Sequence, residues 1–362
     1  MKQVYLDANS SEIYFTSCGS ESNNFAIKGA ADAYKQKGKH IIVSSIEHFS
    51  VLYSAKRLEQ SSGFEITYLP VDKYGLVSSG ELEKAIRNDT ILVSIQHANP
   101  EIGTIQNVEE LSKIVHAKNI LLHTDAVCTV GLEPIDVYKM GVDLLSLSSS
   151  QIYGPKGAAA LYIKKGVRAI PQIDGGIQES GRRAGTENIP GIVGFGKACE
   201  IAKSEMEENN KKIVLLRNRL IAELPNKIEH IYLNGHNLKR LPGNVNFSVE
   251  FVEGEGMLLL LDDAGVNVTS GSACTSKALK LSHVLSAIKV DTAIAQGSVL
   301  MTFSKYNSPD DVDYILQEFP LIVKKLRDMS PLYAYFLKTG TRQAAGPGTD
   351  YDHHHDRDEH GK

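Results

Sequence analysis

The sequence predicts an α/β fold, a large domain on a mainly parallel sheet followed by a smaller α+β domain, and three observations predict it. Short β-branched runs alternate with helix-periodic segments through the first half of the chain. A long polar helical stretch near residues 194–224 ends that alternation, and a different pattern follows it. The 362 residues exceed what one compact domain usually holds.

In order along the chain, strands are expected at His40–Ser44, Thr90–Ile95, Ile120–His123 and Leu144–Leu147. They are short and apolar, as strands buried on both faces are. Helices are expected between them at Phe25–Gln36, Ser50–Glu59, Ser79–Ile86 and Val108–Ala117. Gly194–Leu224 reads as one long helix or a helix pair. Beyond it, Ile231–Leu233, Asn244–Val249 and Val266–Thr269 read as strands, and Gly256–Asp263 and Pro309–Met329 as helices. Ser308 is the expected N-cap of the last, with Asp310 and Asp311 in its first turn, where carboxylates suit the helix dipole. The expected division is 11–205 for the large domain, 1–10 with 206–331 for the small one, and 332–362 for a disordered His/Asp-rich tail.

Composition narrows the function classes. Hydrophobic residues are 42% and charged residues 23%, with a net charge of −4. That balance gives no electrostatic case for nucleic acid or an anionic membrane. Apolar runs such as Met257–Leu261 are far too short to span a bilayer. The stretch Met1–Asp7 shows no apolar signal core, and the four cysteines form no CxxC pair. Reduced thiols and a cytoplasmic location are therefore expected. His353, His354, His355 and His360 with Asp352 and Asp356 are ligand types for a divalent metal. They lie in the expected disordered tail, so no metal site is assigned.

Ligands of parallel α/β sheets sit beyond the carboxyl ends of the strands. His48, Asn99, Asp125 and the run Ser148–Gln151 all fall a few residues past an expected strand. Thr16–Ser22, with Gly19 and Ser20, is a small-residue turn that opens a helix; it suits either an anion site or a plain helix cap. Asp125 can partner a pyridine nitrogen or cap a helix. Cys274, in the loop Ser270–Ser276, suits a mobile nucleophile or an incidental surface thiol.

Together these segments resemble the cysteine desulfurases, fold-type I enzymes that use pyridoxal 5′-phosphate and are related to the class-V aminotransferases. The resemblance runs from about Glu12 to Ser330 through Phe15–Asn24, Ile46–His48, His97–Thr104, His123–Ala126, Tyr153–Gly157, Arg182–Asn188, Leu241–Asn246 and Ser270–Ser276. It implies a seven-stranded sheet and conversion of L-cysteine to L-alanine with a persulfide on Cys274. It implies that His48 stacks on the ring and moves protons, that Asn99 meets the ring hydroxyl, and that Asp125 meets the ring nitrogen. Gly19, Ser20 and Ser148 would hold the phosphate, with Thr186 reaching in from the second subunit of a homodimer. Partners would be L-cysteine and an iron–sulfur scaffold or another sulfur acceptor.

The departures cluster in the site. The family's Schiff-base lysine position holds Gln151, whose amide cannot form an imine. The substrate-carboxylate arginine position holds Leu300, which offers no bidentate fork. A glutamine near the ring hydroxyl is replaced by Cys128. Tyr5–Ser10 is similar to the family's opening strand, yet Glu12–Phe15 follows at once; roughly fifty residues of the usual pattern are missing, about a third of a typical domain. Covalent cofactor attachment is not expected. Three readings stay open: a catalytically impaired desulfurase, a non-catalytic sulfur-relay or scaffold-docking protein, and an eroded remnant.

Overall fold

The computed structural model describes residues 12–270 and 281–342. Cys274, residues 1–10 and the His-rich run lie outside the described residues. Seven strands form the main sheet: β1 (Ile13–Thr16), β2 (His40–Ser44), β3 (Glu65–Leu69), β4 (Thr90–Ser94), β5 (Leu121–Asp125), β6 (Leu144–Ser148) and β7 (Ala159–Ile163). Their order is β1-β7-β6-β5-β4-β2-β3. The five strands from β6 to β3 pair parallel, while β7 runs antiparallel to both β6 and β1.

Every residue of β2, β4 and β6 is buried, which explains why their sequences carry no polar alternation. Successive residues feed two cores: Ile42, Val93 and Leu145 on one face, Ile41, Val43, Leu92 and Leu144 on the other. The second face is covered by α1 (Gly19–Tyr34) and α2 (Phe49–Ser62), through Phe25, Ile27, Val51 and Leu58. The first is covered by α4 (Val108–His116), by α5 (Val137–Met140) and by the start of α7 (Ile189–Glu223). Two further short helices lie in this half, α3 (Ser79–Ala85) and the kinked α6 (Gln178–Gly181).

α7 is one 35-residue helix that belongs to both halves of the molecule. Phe195, Ala198 and Cys199 join the large core, whereas Ile213, Leu216 and Leu220 join a separate one. That second core is built on an antiparallel sheet of order β10-β9-β8, from β8 (Ile231–Leu233), β9 (Asn244–Val249) and β10 (Ser298–Thr302). α8 (Gly254–Asp263) and α11 (Pro309–Asp328) pack on it, and α9 (His283–Ala287) and α10 (Thr292–Ala295) connect α8 to β10. α11 opens with the expected cap: Ser308 and Asp311 form a reciprocal capping box.

Three differences from the sequence reading have physical causes. α1 starts at Gly19, earlier than Phe25, and Gly19, Ser22 and Asn23 are buried in its first turns. Val266–Thr269 is not a strand; only Thr269 bridges Leu300. The segment expected to begin a disordered tail holds α12 (Pro331–Thr339). It is capped by Ser330 and Gly340 and pinned by Phe336, whose ring lies 5.1 Å from His230 and 4.9 Å from Phe251. Those two rings are distant in sequence, so local composition does not reveal the anchor. Strands β3, β7 and β10 were not anticipated either; β7 is partly alanine and β10 alternates weakly.

Candidate functional site

Strand register gathers the site at one end of the main sheet. Thr16 and Ser148 both lie opposite Ala159, so the turn into α1 and the last residue of β6 share an edge. Asp125 ends β5 opposite Ser146 of β6. The loops after β2 and β4, which carry His48 and Asn99, leave the same end. The strand order reverses at β2, and a crevice at such a point is where parallel sheets bind ligands.

The contacts close this set. Asn23, on α1, donates from Nδ2 to Asp125 Oδ2 at 2.6 Å and to Ser50 Oγ at 2.8 Å. Ser50 Oγ lies 2.7 Å from His48 Nδ1, and the Ser50 backbone N–H donates to the same nitrogen. That leaves Nδ1 an acceptor and places the ring proton on Nε2. Asp125, Asn23, Ser50 and His48 therefore form one hydrogen-bonded chain from the sheet to the mouth of α2. The sequence alone assigns a role neither to Asn23, inside the Phe15–Asn24 stretch, nor to Ser50. A sequence shows no signal for such a link, because it depends on α1 and α2 lying side by side.

Asp125 is buried, and burial pushes its carboxyl up; the N–H of Val127 at 2.9 Å and the Asn23 amide oppose that rise. Its two oxygens receive hydrogen bonds, and among the described residues no cation contacts them. Gly19 sits against this floor: a Cβ there would lie 2.6 Å from Val127 Cγ2. The first turn of α1 can approach the 125–127 loop only because residue 19 has no side chain. Its N-cap, Cys18, makes no side-chain cap hydrogen bond, and Ser20 in the first turn is exposed. Ser148 is buried, with Oγ 3.2 Å from Ser150 Oγ.

Asn99 is largely committed to structure. Its Oδ1 accepts from the N–H groups of Glu101 and Ile102, and Nδ2 donates to the Ile46 carbonyl at 3.0 Å. One N–H of the amide is left for a ligand. Thr186 is exposed and lines a cavity of about 130 Å³ with Phe15, Ser17 and Arg183 of its own chain. Gln151 is exposed on the short 3₁₀ turn Ser149–Ile152 that follows β6. Leu300 lies in β10 opposite Asn246.

Several neighbours prove structural. His123 is buried and spans Ser94 and Ser146, its pKa pushed down to about 3 by burial. Cys128 donates its thiol to the Ala98 carbonyl at 3.0 Å, and burial raises its pKa strongly. Burial pushes Cys199 up to about 12. Glu47, inside the Ile46–His48 stretch, has no role assigned by the sequence alone. It is fully buried; Oε1 accepts from Ser44 Oγ and Gln96 N, while Oε2 has no partner among the described residues. Burial raises it to about 8, so it is an uncharged acid at neutral pH.

These residues fit a phosphorylated pyridine. A buried carboxylate without a cation suits a protonated ring nitrogen, the uncapped turn suits the phosphate, and the exposed His48 ring leaves an open face. They do not fit its covalent capture, because no amine stands at position 151.

The aminotransferase class-V family model matches residues 2–315. Over 327 residues the chain is 55% identical to cysteine desulfurase IscS of Methanosarcina thermophila, a match covering 90% of this chain and 80% of that one. Against cysteine desulfurase IscS of Dictyoglomus turgidum the identity is 53% over 326 residues, with 90% and 82% covered. Among solved structures, a NifS-like protein superimposes with a TM-score of 0.83 at 40% identity, covering 89% of this chain and 85% of the other.

Proposed function

The chain belongs to the class-V aminotransferase family, among its cysteine desulfurases, and from that premise we propose a sulfur-mobilisation protein that keeps the cofactor cradle without the covalent anchor. The family depends on pyridoxal 5′-phosphate, which supplies an electron sink when bound. In this reading Asp125 holds the ring nitrogen protonated, its own position fixed by Asn23 and Val127. The N-terminal turn of α1 and Ser148 receive the phosphate. His48 covers the ring, with Ser50 fixing which of its nitrogens carries the proton. Thr186 serves the site of a second copy in a homodimer. Cys274 carries sulfur as a persulfide to an iron–sulfur scaffold or another acceptor in the cytoplasm.

The observation that carries this reading is the pairing of an intact Asp125 network with glutamine on the turn after β6. A glutamine amide is not nucleophilic enough to capture an aldehyde, and loss of a covalent nucleophile costs orders of magnitude in rate. The test is sulfide and alanine release from L-cysteine with pyridoxal 5′-phosphate added. Little or none is expected from the wild type. Robust turnover would overturn the reading of Gln151.

A further inference from the structure

Two replacements in the site remove different parts of a ligand's binding energy. Gln151 removes the amine that captures an aldehyde. Its exposed carboxamide makes no hydrogen bond to another described residue, so it is free to meet a ligand. Leu300 removes the cation that would meet an amino-acid carboxylate.

Among the described residues, no other group makes good the second loss. Leu300 and Asn246 are direct cross-strand partners and share one face of the small sheet. Asn246 donates from Nδ2 to the Glu101 carbonyl, so that face looks toward the 99–104 loop of the large domain. Leu300 also exchanges backbone hydrogen bonds with Thr269, just before residues 271–280. The other side chains of that face, Asn244 and Ser248, are neutral. Arg240 is the nearby guanidinium, and it is buried and spent: it donates to the carbonyls of His236 and Asn234 and to Asn244 Oδ1.

We propose that this site is selective for pyridoxamine 5′-phosphate, the amine form of the cofactor. The inference rests on the non-covalent cradle proposed above. Ring nitrogen and phosphate contacts are common to both cofactor forms. The aldehyde's advantage in a lysine-bearing site is the covalent bond, which is unavailable here. An adduct with an amino acid would add a carboxylate that faces Leu300 without a partner, a desolvation cost with no return. The amine form loses nothing to either replacement, and its C4′ ammonium can donate to the Gln151 carboxamide oxygen.

Isothermal titration of the dialysed protein with pyridoxamine 5′-phosphate and with pyridoxal 5′-phosphate tests this. The wild type should bind the amine form more tightly than the aldehyde. Gln151→Lys should reverse the order, favouring the aldehyde by about a hundredfold or more, because the lysine amine captures the aldehyde and sets a second ammonium against that of the amine form. Asp125→Asn should weaken both forms together. A wild type that binds the aldehyde as tightly as the amine form or more tightly overturns the selectivity, while a common loss in Asp125→Asn would still uphold the cradle. Absence of binding by either form, with a folded far-UV circular dichroism spectrum, overturns the cradle and the selectivity together.

Discussion

Replacing Glu47 with glutamine should stabilise the protein in alkaline solution and leave it almost unchanged in acid. In the native state this carboxyl is fully buried, with a pKa raised from 4.5 to about 8. In the unfolded chain it is ionised at neutral pH. The native state therefore binds more protons between the two values, and stability falls as pH rises from the unfolded pKa through the native one. From about pH 6 to about pH 9 the loss is worth about 3 kcal/mol, at 1.36 kcal/mol for each tenfold change in proton affinity. Glutamine reproduces the neutral acid: its oxygen can accept from Ser44 Oγ and Gln96 N as Oε1 does. Urea unfolding of cofactor-free protein at several pH values reads the difference. The variant's unfolding free energy should match wild type near about pH 4 and exceed it by about 4 kcal/mol near about pH 9. Equal midpoints across the range would refute the argument, as they would mean that Glu47 is already ionised in the folded protein. Glu101 tests the same logic independently. It is raised to about 7 by burial, receives the Ser282 hydroxyl and has Oε1 unpartnered, so Glu101→Gln should remove a smaller alkaline loss of the same sign.

Gly19→Ala should destabilise by about 1–3 kcal/mol and weaken cofactor binding, because the new methyl meets Val127; thermal unfolding and titration check both. Asn23→Ala should cost about 1–3 kcal/mol by leaving the buried Asp125 carboxyl short of a donor, whereas Ser50→Ala should cost less than about 1 kcal/mol and release the His48 ring, visible as exchange broadening of its imidazole resonances. In differential alkylation, Cys128 and Cys199 should label slowest among the cysteines, since burial holds both thiols protonated.

How legible the site was depended on where its parts lie in the chain. Residues at strand ends, such as His48, Asn99, Asp125 and Ser148, were readable, because parallel α/β sheets open their crevice there. The supporting contacts were not: Asn23 to Ser50 spans 27 positions and Asn23 to Asp125 spans 102. Glu47 escaped notice for another reason. In sequence it is one more charged residue beside a histidine, and only the fold shows that it is sealed from water. The fold itself was more legible than its boundaries. β2, β8 and β9 run as expected, as strands with continuous or compact apolar character. β7 and α12 escaped because their stability comes from partners far away in the chain.

The central claim is a cofactor cradle kept without covalent capture, and mass spectrometry after borohydride reduction tests it most directly. Wild-type protein incubated with pyridoxal 5′-phosphate, reduced, denatured and weighed intact should keep its unmodified mass. Gln151→Lys treated identically should gain one phosphopyridoxyl group at residue 151. A stoichiometric adduct on the wild type, mapped to Lys156 or any other single lysine, would contradict the account by showing that another amine has taken over the anchor.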